Sequence, residues 1–172
     1  MVLGTAAVVA VVLQTFAFQL YEIPSESMYP TLQDFDRVAV NKLAYSFGGG
    51  PERGDVVVFK RPASERTDDP EQPAQLIKRV IGLPGDVVEA RGGRVYIDGE
   101  PLRETGKDRY LSDSVVTNNL IKPIKVPVGQ VFVMGDNREH SHDSRYFGPI
   151  STDEIIGRAF AIAWPLGRTR FL

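Results

Sequence analysis

The hydrophobic positions change rhythm once along the chain. Residues 1–20, MVLGTAAVVAVVLQTFAFQL, carry no charged side chain, and Gln14 and Gln19 are their most polar groups. As a helix, about 20 residues span about 30 Å, the thickness of one hydrocarbon core. The run weakens after Leu13, and a helix of about 14 residues is short for spanning. Phe16, Phe18 and Leu20 then alternate with Ala17 and Gln19, a pattern that also fits a strand entering the domain. A membrane anchor over residues 1–20 is the leading expectation. A removed signal peptide would lack its basic n-region, and a buried core helix is the third reading. No Lys or Arg precedes the run, so the positive-inside rule sets no orientation. Whether a basic tail precedes the recorded start is left open.

From Tyr21 onward the pattern turns to short apolar runs separated by turn residues. RVAV (37–40), DVVVF (55–59), LIKRVIG (76–82), DVVEA (86–90), RVYI (94–97), IKVP (124–127) and QVFVMG (130–135) all read as strands. Asp98 and Gly99 supply a hairpin turn after RVYI. Helical periodicity is weak; its best candidate is STDEIIGR (151–158), with Ser151 or Thr152 as cap. Two polar stretches, 61–75 and 103–119, are expected to be exposed excursions. The fold class is therefore mostly β: packed antiparallel sheets over residues 21–172, after the anchor.

Composition changes this picture little. The 172 residues are 42% apolar, enough for one domain with a real core. A formal net charge of −2 gives no sign of nucleic-acid binding. The absence of cysteine excludes disulfides, thiolate metal sites and a Cys nucleophile.

Candidate chemistry starts in IPSESMYP (23–30), where Ser25 and Ser27 stand between Pro24 and Pro30. A serine attacks only when a base takes its proton. The two histidines, His140 and His142, share one segment, NREHSHDSRY. A Ser27–His142–Asp143 triad is poorly placed, because adjacent residues of an extended segment point to opposite faces. The other base is Lys78 in QLIKRVIG, a lysine inside an apolar strand pattern. Free lysine is neutral in under roughly one molecule in 10³ at pH 7. Burial against aliphatic walls can lower its pKa to about 7–8 and so make it a base. From the residues alone, Lys78 and Arg79 both facing solvent on an edge strand is the favoured reading.

Four segments in order resemble the type I signal peptidases, membrane-bound Ser–Lys endopeptidases. They are IPSESMYPTL, RGDVVVFKRP (53–62), IKRVIGLPGD (77–86) and GDNREHSHDSRYFGPI (135–150). The short linker between the last two is similar to the compact, single-anchor members. Glu139, His140 and His142 depart from the family's usual residues.

The resemblance implies that Ser27 is the nucleophile and Lys78 the general base. It implies an oxyanion hole from the Ser27 N–H and the Ser25 hydroxyl. Ser141 is expected to hydrogen-bond the lysine amine, and Asp143 with Arg145 to form a bracing ion pair. Gly135 is expected to allow close backbone approach or a positive φ, and Met28 to pack near the site. Substrates would be preproteins cut after an Ala-x-Ala signal, bound as an added strand. The catalytic domain would stand on the extracytoplasmic face of the cell membrane, tethered by one span in the lipid bilayer. No metal or organic cofactor is implied, and a monomer is favoured.

Other readings are a self-cleaving Ser–Lys protease of the SOS-repressor type, a non-catalytic membrane-tethered β module, and an inactive family member. The first needs an N-terminal DNA-binding domain that 20 apolar residues cannot supply. The second has no use for Lys78. The third is disfavoured by the joint presence of Ser25, Ser27, Lys78 and Ser141.

Overall fold

The structure, a computed structural model, describes residues 17–65, 69, 72–104, 110–111, 115–117 and 122–172. Most of the run assigned to the anchor lies outside the described residues. Among the described residues no helix is long and apolar enough to cross a membrane.

The chain is mostly β, in two antiparallel sheets. The larger has eight strands: β1 (Phe18–Glu22), β2 (Arg37–Asn41), β3 (Val56–Lys60), β4 (Gln75–Gly82), β9 (Gln130–Met134), β10 (Ile150–Ser151), β11 (Ile155–Trp164) and β12 (Arg170–Phe171). Its order is β1-β2-β11-β3-β4-β9-β10, with β12 on β11. The smaller sheet holds β5 (Val87–Arg91), β6 (Arg94–Ile97), β7 (Glu100–Pro101) and β8 (Ile124–Lys125) in the order β7-β6-β5-β8.

Each strand read from the apolar runs is present. The alternation after Phe16 is a strand as well: β1 starts at Phe18, inside the 1–20 run, and pairs along β2 from Phe18↔Asn41 to Glu22↔Arg37. In β3 the four residues Val56 to Phe59 are all buried, because both faces of this central strand are covered. Val56 and Val58 enter one core with Met28, Leu32, Val38 and Val40. Val57 and Phe59 enter a second core with Val80, Val131 and Val133. A third core, built on Ile81, Val88, Phe132 and Met134, joins the two sheets. Asp98 and Gly99 take φ of 52° and 84°, as the β6–β7 turn requires.

Two expectations change. STDEIIGR forms only a 3₁₀ turn, Thr152–Glu154, capped by Ser151 Oγ, which accepts from Asp153 N. The rest of that stretch opens β11, the longest strand. Gly157 and the alanines of IIGRAFAIAW have poor strand propensity, which hid it. At Gly157 the sheet is tight: a Cβ there would lie 2.5 Å from Asn41 O. The 103–119 excursion is also not wholly exposed, since Glu104, Leu111 and Thr117 are buried.

Candidate active site

Ser27 sits in a 3₁₀ turn, Glu26–Met28, between β1 and β2. Met28 and Leu32 are fully buried and pin the turn to the core. Asn137, just after β9, clasps it from outside. The Asn137 N–H donates to Ser27 O and its side-chain amide to Glu26 O, both at 3.1 Å. Ser25 is extended and exposed, with φ −148° and ψ 150°, and its Oγ lies 3.2 Å from Ser27 Oγ.

Lys78 comes from the middle of β4, opposite Val57 of β3. Strand alternation puts it on one face with Leu76 and Val80, both part of the second core. It is 3% exposed. Its amine donates to Ser27 Oγ at 2.7 Å and to Ile77 O at 2.9 Å. Burial drives its pKa down to about 8; Asp143 and Asp136 pull the other way, and Arg61 adds to the fall. The exposed-edge reading of Lys78 is thereby excluded.

The GDNR segment closes the site. Gly135 has no room for a side chain: a Cβ there would lie 2.2 Å from Ser141 Oγ and 2.4 Å from Ser27 O. Its role is close approach; it is not among the glycines with positive φ. Asp143 and Arg145 form the expected pair, with Arg145 Nε 2.8 Å from Asp143 Oδ1 and both side chains buried. Asp143 also accepts from Gly135 N at 2.9 Å and from Arg145 N at 3.2 Å, capping the short helix α1 (Ser144–Phe147).

Ser141 departs from expectation. It is buried beside Gly135, but its Oγ has no hydrogen-bond partner, the lysine amine included. The amine is instead taken up by Ser27 Oγ and Ile77 O. The histidine triad does not form. Asp143 is committed to Arg145 and Gly135, while His142 turns to Glu65 Oε2 at 2.9 Å and stacks on Tyr146.

The structure adds residues that pattern reading passed over. Arg79, opposite in facing to Lys78, forks onto Asp136 at 2.7 and 2.9 Å. Thr31 donates to the same carboxylate, and the Arg79 guanidinium lies 3.9 Å over the Tyr110 ring. Arg138 is fully buried and binds Gly135 O, Thr117 and Glu104. The available signal was a charged GDNR sequence directly after the apolar QVFVM strand.

Chemically, a hydroxyl in contact with a sheltered, weakly basic amine is equipped for acyl transfer: one group to attack, the other to take its proton. Comparison with known proteins agrees in class. The profile of the family described as "Signal peptidase, peptidase S26" matches residues 1–164. Signal peptidase I of Leptolyngbya laminosa is 41% identical over 166 residues, covering 96% of this chain and 78% of that protein. Probable signal peptidase I-1 of Synechocystis is also 41% identical, over 96% of this chain and 81% of that protein. Signal peptidase I P of Bacillus subtilis subsp. natto is 37% identical, over 96% and 87%. A crystal structure of a signal peptidase I from Enterococcus faecalis is 31% identical with a TM-score of 0.44, covering 64% of this chain and 97% of that one.

The chain belongs to the signal peptidase I family, peptidase S26. As such it is a membrane-bound serine endopeptidase that removes N-terminal signal peptides from preproteins.

Proposed function

We propose that Ser27 is the nucleophile of this peptidase and Lys78 its general base. The observation that carries the proposal is the 2.7 Å contact between Lys78 Nζ and Ser27 Oγ inside an apolar pocket. The neutral amine accepts the Ser27 proton across that contact as Oγ attacks the scissile carbonyl. The protonated amine then passes its proton to the leaving amine, and an acyl-enzyme forms. The same amine activates the water that hydrolyses it.

The developing oxyanion needs donors aimed at it, each worth about 3–4 kcal/mol. The Ser27 N–H and the Ser25 hydroxyl, adjacent on one rigid turn, are assigned that role. Asp143 and Arg145 brace the wall behind the amine, and Gly135 lets that wall approach Ser27.

Substrate is assigned to the edge of β4. Strand β9 pairs with β4 only from Arg79 onward, so residues 75–78 have a strand partner in β3 alone. A preprotein segment with small residues before the cut would add there as a strand, its carbonyl beside Ser27. The domain acts as a monomer on the extracytoplasmic side, anchored by a single span that precedes β1.

The test is preprotein cleavage in detergent. Ser27→Ala and Lys78→Met should each abolish turnover while circular dichroism remains that of the folded protein. A lysine variant with wild-type turnover refutes the assignment.

A further inference from the structure

A cleft of about 730 Å³ opens beside the loop that follows Ser27, and the proposed chemistry does not use it. Four arginines line it, Arg53, Arg79, Arg103 and Arg170, with Tyr110 and Phe171 among its apolar walls. Among the described residues no Asp or Glu side chain lines it.

The four cations are not equivalent. Arg79 is clamped on Asp136, and Arg53 lies 3.1 Å from Asp86. Those two charges are balanced. Arg103 is exposed and has no ion pair among the described residues. Arg170 is exposed too, and its Nη2 donates to a neutral acceptor, Thr31 O, at 2.8 Å. The carboxylate nearest in effect to Arg170 is Asp36, and Arg168 already binds it through two nitrogens, at 2.8 and 2.9 Å. Among the described residues, two guanidinium charges in one concave site therefore have no carboxylate side chain as an ion-pair partner.

Guanidinium forks match the oxygens of phosphate in bidentate geometry and are weakly hydrated, so they bind phosphate well at a half-buried site. We propose that this cleft binds a phosphate group, with Arg103 and Arg170 as the primary ligands and the ion-paired Arg53 and Arg79 as a fixed floor. One or two negative charges would balance the two uncommitted cations. The apolar walls and the membrane setting of the family favour the phosphodiester of an anionic phospholipid as the source. Phe171, 84% exposed at the cleft, gives its acyl or glycerol part a surface to lie on.

Binding is tested apart from catalysis. The full chain in neutral-detergent micelles is titrated with short-chain phosphatidylglycerol, with inorganic phosphate, and with sodium chloride at matched ionic strength. A ligand of the folded state raises Tm in a saturable way. Phosphatidylglycerol is expected to do so, and Arg103→Gln with Arg170→Gln to weaken its apparent affinity by about tenfold or more, as loss of charge-assisted hydrogen bonds predicts. Arg94→Gln, at an exposed position of β6 outside the cleft, should leave it unchanged. Equal response to inorganic phosphate keeps the phosphate site and assigns it to the free anion. Should removal of the Thr31 contact impair folding, the exposed Arg103→Gln alone carries the comparison. An equal response to chloride, identical binding by wild type and variants, or no shift with either phosphate probe overturns the proposal.

Discussion

Lys78 and Arg79 are neighbours on β4, both almost fully buried, and they serve opposite faces of one sheet. The amine of Lys78 meets a hydroxyl, Ser27 Oγ, and stays short of a counter-ion. The guanidinium of Arg79 is forked onto a carboxylate, Asp136. Adjacent cations thus have opposite electrostatic fates. One is destabilised into a base; the other is held charged and serves as a fixed strut.

That destabilisation has a measurable sign. Lys78 has a folded-state pKa of about 8 against an ordinary 10.5. Between those values the unfolded chain binds more protons than the folded one, so stability climbs with pH across the window. Below pH 8 the cost is present in full, about 3 kcal/mol. Lys78→Met should therefore be inactive yet more stable than wild type at pH 7, with the gain shrinking toward pH 10.5. Urea denaturation at several pH values measures it. Wild-type cleavage should rise about tenfold per pH unit up to about pH 8 and then level, as for a base that must be neutral.

Ser25→Ala separates an oxyanion donor from a plain turn hydroxyl. The residue is exposed, so Tm should not move. The expected loss is about 10²–10³ in kcat, with little change in KM. A loss of only about twofold would return Ser25 to the status of a surface hydroxyl, since a lost oxyanion donor costs far more.

Gly135→Ala should remove activity and lower Tm together. The added methyl would sit 2.4 Å from Ser27 O, a backbone atom that cannot swing aside. Pairing it with Ser141→Ala clears the hydroxyl contact and leaves the backbone one, so the double variant should not recover. Ser141→Ala alone removes a buried oxygen with no partner, and its Tm should equal or exceed that of wild type.

Asp136→Ala leaves Arg79 charged and unpaired in the interior. A cost of about 3–5 kcal/mol is expected in chemical denaturation. Thr31 also loses its acceptor, so Asp136→Asn, which keeps one oxygen, should cost less.

Period-two patterning made most of the fold legible. Val38 and Val40, or the unbroken apolar run of β3, announce how many faces are covered. The strand β11 escaped because Gly157, Ala159 and Ala161 are weak strand formers and carry no apolar pattern; at Gly157 the approach of β2 leaves no room for a side chain. The Ser27–Lys78 pair was readable only through the four resembling segments, since composition alone favours an exposed edge for Lys78. Asp136, Arg138 and Glu104 stayed hidden for another reason. Buried ion pairs join residues far apart in the chain, 34 positions for Arg138 and Glu104, and local periodicity holds no record of such partners.

The place of β11 bears on how the two reactive groups are held in register. Ala159 pairs with Val40 of β2 on one side and Val56 of β3 on the other. The turn bearing the hydroxyl leads into the first flank, and the lysine belongs to the second. In the sheet order β2 and β3 meet only through β11, so the register of this one strand fixes how the serine-bearing half is set against the lysine-bearing half.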